Sequence, residues 1–128
     1  MNVPKDLRYT KEHEWIRSAG GEVEVGITEY AQGELGDVIF VDLPSVGTKV
    51  VAMKTFGSID AVKTVSDLFA PVAGEIVAVN DSLKENPALV NQSPYEKGWM
   101  VRIRVENPAD VGALLTSDDY EKLLGAHA

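Results

Sequence analysis

Cysteine is absent from this 128-residue chain. That excludes disulfide staples, thiolate nucleophiles and cysteine metal sites. Histidine occurs only at His13 and His127, which cannot form a His-x-x-x-His zinc pair, so no metal site is expected. Basic residues are scarce: 12 Lys and Arg stand against 20 Asp and Glu, for a net charge of −8. Such a surface argues against binding nucleic acid and suits docking on basic patches of other proteins. No apolar run is long enough to span a membrane. The start, Met1-Asn2-Val3-Pro4-Lys5-Asp6, has neither the apolar stretch of a signal peptide nor the arginine-rich pattern of a transit peptide. The expected setting is the bacterial cytoplasm, or a mitochondrion only if a transit peptide has been removed. Gly-x-Gly-x-x-Gly and Walker loops are missing, and no nucleophile-elbow motif supports a serine triad. An independent enzyme therefore has little to build on.

What is present reads as one domain, 1–128, large enough to bury its own core. Trp15-Ile16, a Gly20-Gly21 turn, and the alternating Glu22-Val23-Glu24-Val25-Gly26-Ile27 predict an N-terminal hairpin. Thr28 suits the cap of a short helix over 29–35. The near-continuous apolar run 38–43 predicts a strand covered on both faces. Strands are expected at 49–52, 55–59 and 75–80, then irregular chain to 93 with one helical turn after Asn86-Pro87. Met100 to Val105 alternates with Val101, Ile103 and Val105 inward, and a last helix over 118–124 is expected with Ser117 as cap and Gly125 as stop. Short strands with Gly and Pro turns make the chain mainly β, a sandwich or barrel with short peripheral helices and a C-terminal helix.

The stretch Asp60-Ala61-Val62-Lys63-Thr64-Val65-Ser66-Asp67 stands out. β-prone residues flank one lysine on both sides, which predicts two strands meeting in a tight connection with Lys63 at or beside its tip. A lysine there projects from the core on a flexible four-carbon stem. Asp60 is placed to accept a hydrogen bond from the turn backbone. His13 is expected to pack beside Trp15, and Tyr95 and Trp99 to serve as core and loop anchors.

The lysine segment, together with Ala70-Pro71-Val72-Ala73-Gly74-Glu75-Ile76-Val77, resembles the lipoyl-lysine segment of the glycine cleavage system H protein family. That family usually reads Glu-Ser-Val-Lys-Ala here; this chain departs at Asp60, Ala61 and Thr64 and keeps the lysine. The resemblance extends over nearly the whole chain, through Tyr9-Thr10-Lys11-Glu12-His13-Glu14-Trp15, Val25 to Gln32 with Leu35 to Val38, and Asn86-Pro87 with Pro94 to Trp99. It implies the barrel-sandwich hybrid of lipoyl and biotinyl carriers, with lipoate joined by an amide to Lys63. It implies a monomeric carrier rather than an enzyme, served by a lipoate-attaching enzyme. The arm would visit glycine decarboxylase (P protein), aminomethyltransferase (T protein) and dihydrolipoamide dehydrogenase (L protein). The alternative is a lipoyl relay or donor for 2-oxoacid dehydrogenase complexes. The loaded arm ends in an amine, so carboxylates near its resting place are expected: Glu14 and Asp67 first, Glu12 and Thr64 as weaker candidates.

Overall fold

Two antiparallel sheets carry the chain in this computed structural model, which describes residues 2–127, with backbone alone at 126 and 127. Short strands come first: β1 (Arg8–Tyr9), β2 (Glu14–Ala19) and β3 (Glu22–Ile27). Helix α1 (Glu29–Leu35) leads to β4 (Val38–Asp42), β5 (Lys49–Val50), β6 (Thr55–Ala61), β7 (Val65–Phe69) and β8 (Gly74–Val79). Two single-turn helices, α2 (Ser82–Glu85) and α3 (Leu89–Gln92), precede β9 (Val101–Val105); α4 (Ala109–Gly112) and α5 (Ser117–His127) close the chain. One sheet has the order β1-β2-β3-β9-β8-β5 and the other β4-β6-β7. The barrel is not closed, and the arrangement is sandwich-like, with helices at its periphery.

Alternation explains most of the packing. Val23 and Val25 of β3 and Val101 and Ile103 of β9 are buried, and they join Ile16, Val72 and Ile76 in one core cluster. The face of the smaller sheet that turns inward contributes Val41, Ile59 and Leu68 to a second cluster with Ile27 and Leu35. A third, aromatic cluster of Tyr9, Trp15, Tyr95 and Tyr120 ties α5 to the N-terminal strands, with Tyr9 and Tyr120 stacked at 4.7 Å.

Several expectations are corrected. The run from Val38 is not covered on both faces: Ile39 and Phe40 are 58% and 52% exposed, because β4 is an edge strand with a register shift between Val38 and Phe40. Strand β5 is only two residues long, since the chain turns at Met53 with a positive φ of 64°. The 80–93 segment holds two helices rather than one turn. Thr116, not Ser117, caps α5: its Oγ1 accepts from the Asp119 N–H at 3.2 Å while the Asp119 carboxylate accepts from the Thr116 N–H. Gly125 does not end α5, whose backbone continues to His127; the His127 side chain lies outside the described residues.

Trp15 and Gly26 face each other across the first hairpin. A Cβ on Gly26 would lie 2.6 Å from the Trp15 ring, which is fully buried and held by its Nε1–H donating to the Pro94 carbonyl at 2.8 Å. The ring has no room to retreat. Gly26→Ala is expected to cost roughly 2 kcal/mol through overpacking. Gly33→Ala, with nothing near its Cβ in α1, is expected to gain about 0.5–1 kcal/mol. Urea midpoints at constant m-value check both signs.

Candidate functional site

Strands β6 and β7 form a hairpin whose connection is Val62-Lys63-Thr64. The Ala61 N–H donates to the Thr64 carbonyl at 2.8 Å and closes the turn. A second bond fixes the hairpin end to the rest of the fold, from the Val62 N–H to the Asp37 carbonyl at 2.9 Å. The segment carrying that carbonyl is itself clamped by one side chain of α3. Asn91 Oδ1 accepts from the Val38 N–H at 2.9 Å, and Asn91 Nδ2 donates to the Gly36 carbonyl at 2.8 Å. Among the described residues the Asp60 side chain accepts no hydrogen bond from the turn, contrary to the sequence reading, because backbone pairs already close it.

Lys63 is exposed and forms no ion pair among the described residues. Its stem lies over Gly36, at the C-terminal end of α1: a Cβ on Gly36 would come 2.5 Å from Lys63 Cε and 3.4 Å from Nζ. Gly36 has φ of +77°, a conformation that glycine adopts without strain. Thr64 is exposed beside the lysine, its hydroxyl 3.4 Å from the Val65 carbonyl.

A cavity of about 290 Å³ runs along α1, bounded by the 12–14 loop on one side and by β7 on the other. It brings Asp67, from the middle of the chain, together with Glu12 and Glu14 near its start; Thr64 does not line it. The floor is apolar, with Ile27, Leu35, Ile59 and Leu68. Sequence reading did not single out Tyr30, Glu34 or Ser66, which also line it. The signal for Glu34 was available, since Tyr30, Ala31, Glu34 and Leu35 repeat at the three- and four-residue spacing of one helix face.

Glu14 is the unusual member, 2% exposed. Its Oε2 accepts from the Phe69 N–H at the edge of β7, at 2.7 Å, and its Oε1 is 3.0 Å from Thr10 Oγ1. Burial pushes its pKa up to about 8, against the lowering effect of those two hydrogen bonds. The loop that presents it turns at His13, whose φ is +66°. His13 does not pack beside Trp15: its ring contacts Tyr30 at 4.7 Å and Tyr120, and its Nδ1 lies 2.8 Å from the Tyr120 hydroxyl. That hydroxyl is also 2.7 Å from Thr28 Oγ1, the cap of α1, so one tyrosine joins loop and helix at the cavity wall. Tyr95 is buried and accepts from the Glu29 N–H at 3.0 Å, while the Trp99 ring lies under the Arg102 guanidinium at 4.7 Å.

The family model described as Glycine cleavage H-protein matches residues 7–127. The chain is 54% identical over 124 residues to the glycine cleavage system H protein of Geobacillus thermodenitrificans, covering 97% of this chain and 98% of that one. It is 52% identical over 124 residues to that of Listeria monocytogenes, covering 97% and 99%. The crystal structure of a glycine cleavage system H protein from Mycobacterium marinum superposes with a TM-score of 0.88 at 42% identity, covering 96% of this chain and 99% of that one. Among the described residues, no helix is long and apolar enough to cross a membrane.

The buried carboxyl makes stability depend on pH in a defined direction. The folded protein holds the Glu14 proton up to about pH 8, and the unfolded chain releases it near 4.5. The contribution of this group is fully present below about pH 4.5 and is lost as pH rises through about 8. Relative to Glu14→Gln, the wild type should therefore lose stability across that window. Equal pH profiles in chemical denaturation would show that Glu14 titrates normally.

Proposed function

The chain belongs to the glycine cleavage H-protein family, and on that premise we propose that Lys63 is its lipoyl attachment residue and the α1 cavity the resting place of the loaded arm. As a member of the family it is a carrier component of the glycine cleavage system and not itself a catalyst. What carries the assignment of Lys63 is its display: an exposed amine in the middle of a hairpin connection, with no ion-pair partner among the described residues, beside a cavity lined by carboxylates. When attached, lipoate supplies a disulfide that can accept a one-carbon amine unit on one sulfur and be regenerated from the dithiol.

The residues of this chain have separate tasks. The Lys63 amine, once deprotonated, attacks an activated lipoyl carbonyl; an amide C–N bond forms, the activating group leaves with the electrons of its bond, and one proton leaves the nitrogen. Acylation also removes the charge of Lys63, so the tether can lie against apolar surface without desolvating an ammonium. The floor of Ile27, Ile59 and Leu68 suits the apolar part of the arm. Glu14, with Glu12 at the rim, faces the cationic end, and Asp67, on the outer side of edge strand β7, adds its charge over that edge. Entry of a cation beside buried Glu14 favours its ionised form, so parking releases a proton. Thr64 remains a candidate only for the region next to the attachment point.

The finer partners follow from the same reading: the P, T and L proteins act on the arm's end, and a lipoate-attaching enzyme acts on Lys63 itself. We place the protein in the bacterial cytoplasm as a monomer of one domain. Tethering raises the arm's local concentration at a docked partner to roughly millimolar.

Intact mass after expression with lipoate tests the attachment residue. A single lipoyl adduct that maps to Lys63 and vanishes in Lys63→Ala is expected; an adduct persisting in that variant would refute the assignment. For the cavity, the loaded protein is followed as its amine unit is lost spontaneously. Glu14→Gln with Asp67→Asn should shorten the lifetime about tenfold or more, and Glu14→Gln alone should remove the part of the pH dependence that this carboxyl supplies. With the native carboxylates the lifetime should rise with pH up to about 8, the value for the empty site, because the parked cation draws Glu14 into its ionised form below it. Unchanged lifetimes would exclude the cavity as the parking place.

A further inference from the structure

The two sheets treat their charges differently. On the six-stranded sheet four of the five cations are matched: Arg17 and Arg102 each lie 3.0 Å from Glu24, and Lys49 and Arg104 lie 3.0 and 3.3 Å from Glu75, while Arg8 donates to the Leu114 carbonyl. The three-stranded sheet contains no lysine or arginine at all. Its acids Asp42, Asp60 and Asp67 have no cationic partner among the described residues.

The register shows what lies between those acids. Phe40 pairs with Asp60, and Asp60 with Val65; Asp42 pairs with Ser58, and Ser58 with Asp67. Neighbours in register share a face. Ile59 between them is fully buried, so the rows Phe40-Asp60-Val65 and Asp42-Ser58-Asp67 are on the outer face. Phe40 and Val65 are 52% and 66% exposed, and Ile39 and Val62 at the lysine end are 58% and 70% exposed. Among the described residues, four of the seven exposed large hydrophobic ones thus gather at one end of one sheet, around Lys63. Contiguous exposed apolar surface with a polar rim marks an interaction site.

We propose that this outer face, with Ile39, Phe40, Val62 and Val65 at its centre and Asp42 and Asp60 at its rim, is the docking surface for the enzyme that acylates Lys63. The inference rests on the reading of Lys63 as the attachment residue. Reach selects this occupant. An enzyme working at the far end of an attached arm can dock an arm's length away. The acylating enzyme has no arm to use: its activated carbonyl must come into bonding distance of Nζ, so it must cover the hairpin end and the surface beside it. The matching surface on that enzyme is apolar, with lysine or arginine at its edge to meet the unpaired acids.

The test uses the full-length unlipoylated protein, a purified lipoate-attaching ligase with its substrates, and intact-mass detection of the product. Phe40→Thr with Val65→Thr keeps β-forming residues at exposed positions, and thermal denaturation confirms the fold. The apparent KM for the acceptor protein should rise about tenfold with kcat little changed. Asp42→Asn should raise KM and weaken its dependence on salt. Val51→Thr is the control: it is 59% exposed but precedes the far end of β6, roughly 20 Å away along the strand. Equal KM values for the folded double variant and the wild type, or an equal rise for Val51→Thr, would overturn the proposal. Peptide mapping keeps the two readings apart. Product on a lysine other than Lys63 would remove the premise, whereas product on Lys63 at an unchanged KM would remove the docking surface alone.

Discussion

The site depends on how the end of one hairpin is pinned. A three-residue connection would swing freely if only the turn's own bond closed it. Here the Val62 N–H donates to the Asp37 carbonyl, and the segment around Asp37 is gripped on both sides by Asn91. The lysine stem therefore starts from a fixed place beside the end of α1, while its own bonds remain free to rotate. That combination suits a carrier, because a rigid base limits the conformational entropy lost when a partner or the cavity receives the arm.

The cavity wall shows the opposite design, a polar group placed where water is excluded. Glu14 is buried between the edge of β7 and the 10–14 loop, and desolvation outweighs the two hydrogen bonds that favour its charged form. Such a group is costly to ionise until a cation arrives. The loop that holds it is built for that position, with His13 in a left-handed conformation and Tyr120 bridging toward the cap of α1. A left-handed residue and a buried carboxyl thus stand together beside the cavity, while the surface around Lys63 remains open.

Much of the strand placement along the chain was legible because alternation is local: β3 and β9 show their inward valines and isoleucines in the sequence itself. The hairpin around Lys63 could be read from β-prone residues on either side of one lysine. The edge character of β4 could not, because a buried strand and an edge strand with a bulge share the same apolar run. The last helix was misread at both ends; Thr116 and Ser117 are both acceptable caps by type, and only the reciprocal bond to Asp119 separates them. Resemblance to the lipoyl carriers suggested the carboxylates, but their meeting at one cavity is a tertiary result. Glu12 and Glu14 reach Asp67 only because the first loop folds against the edge of β7. The absence of any cation from the smaller sheet was written in its three strands, yet it acquires meaning only once register shows which residues share the outer face.

The central claim is that one arm anchored at a pinned hairpin alternates between solvent and the cavity along α1. The most direct measurement is nuclear Overhauser contact from a 13C-labelled methylene on the loaded arm to methyl groups of the cavity floor. The account predicts contacts to Ile27, Ile59 and Leu68 in the loaded protein and their loss once the amine unit is removed. A loaded arm that shows averaged, solvent-like signals with no contact to those methyls would contradict it.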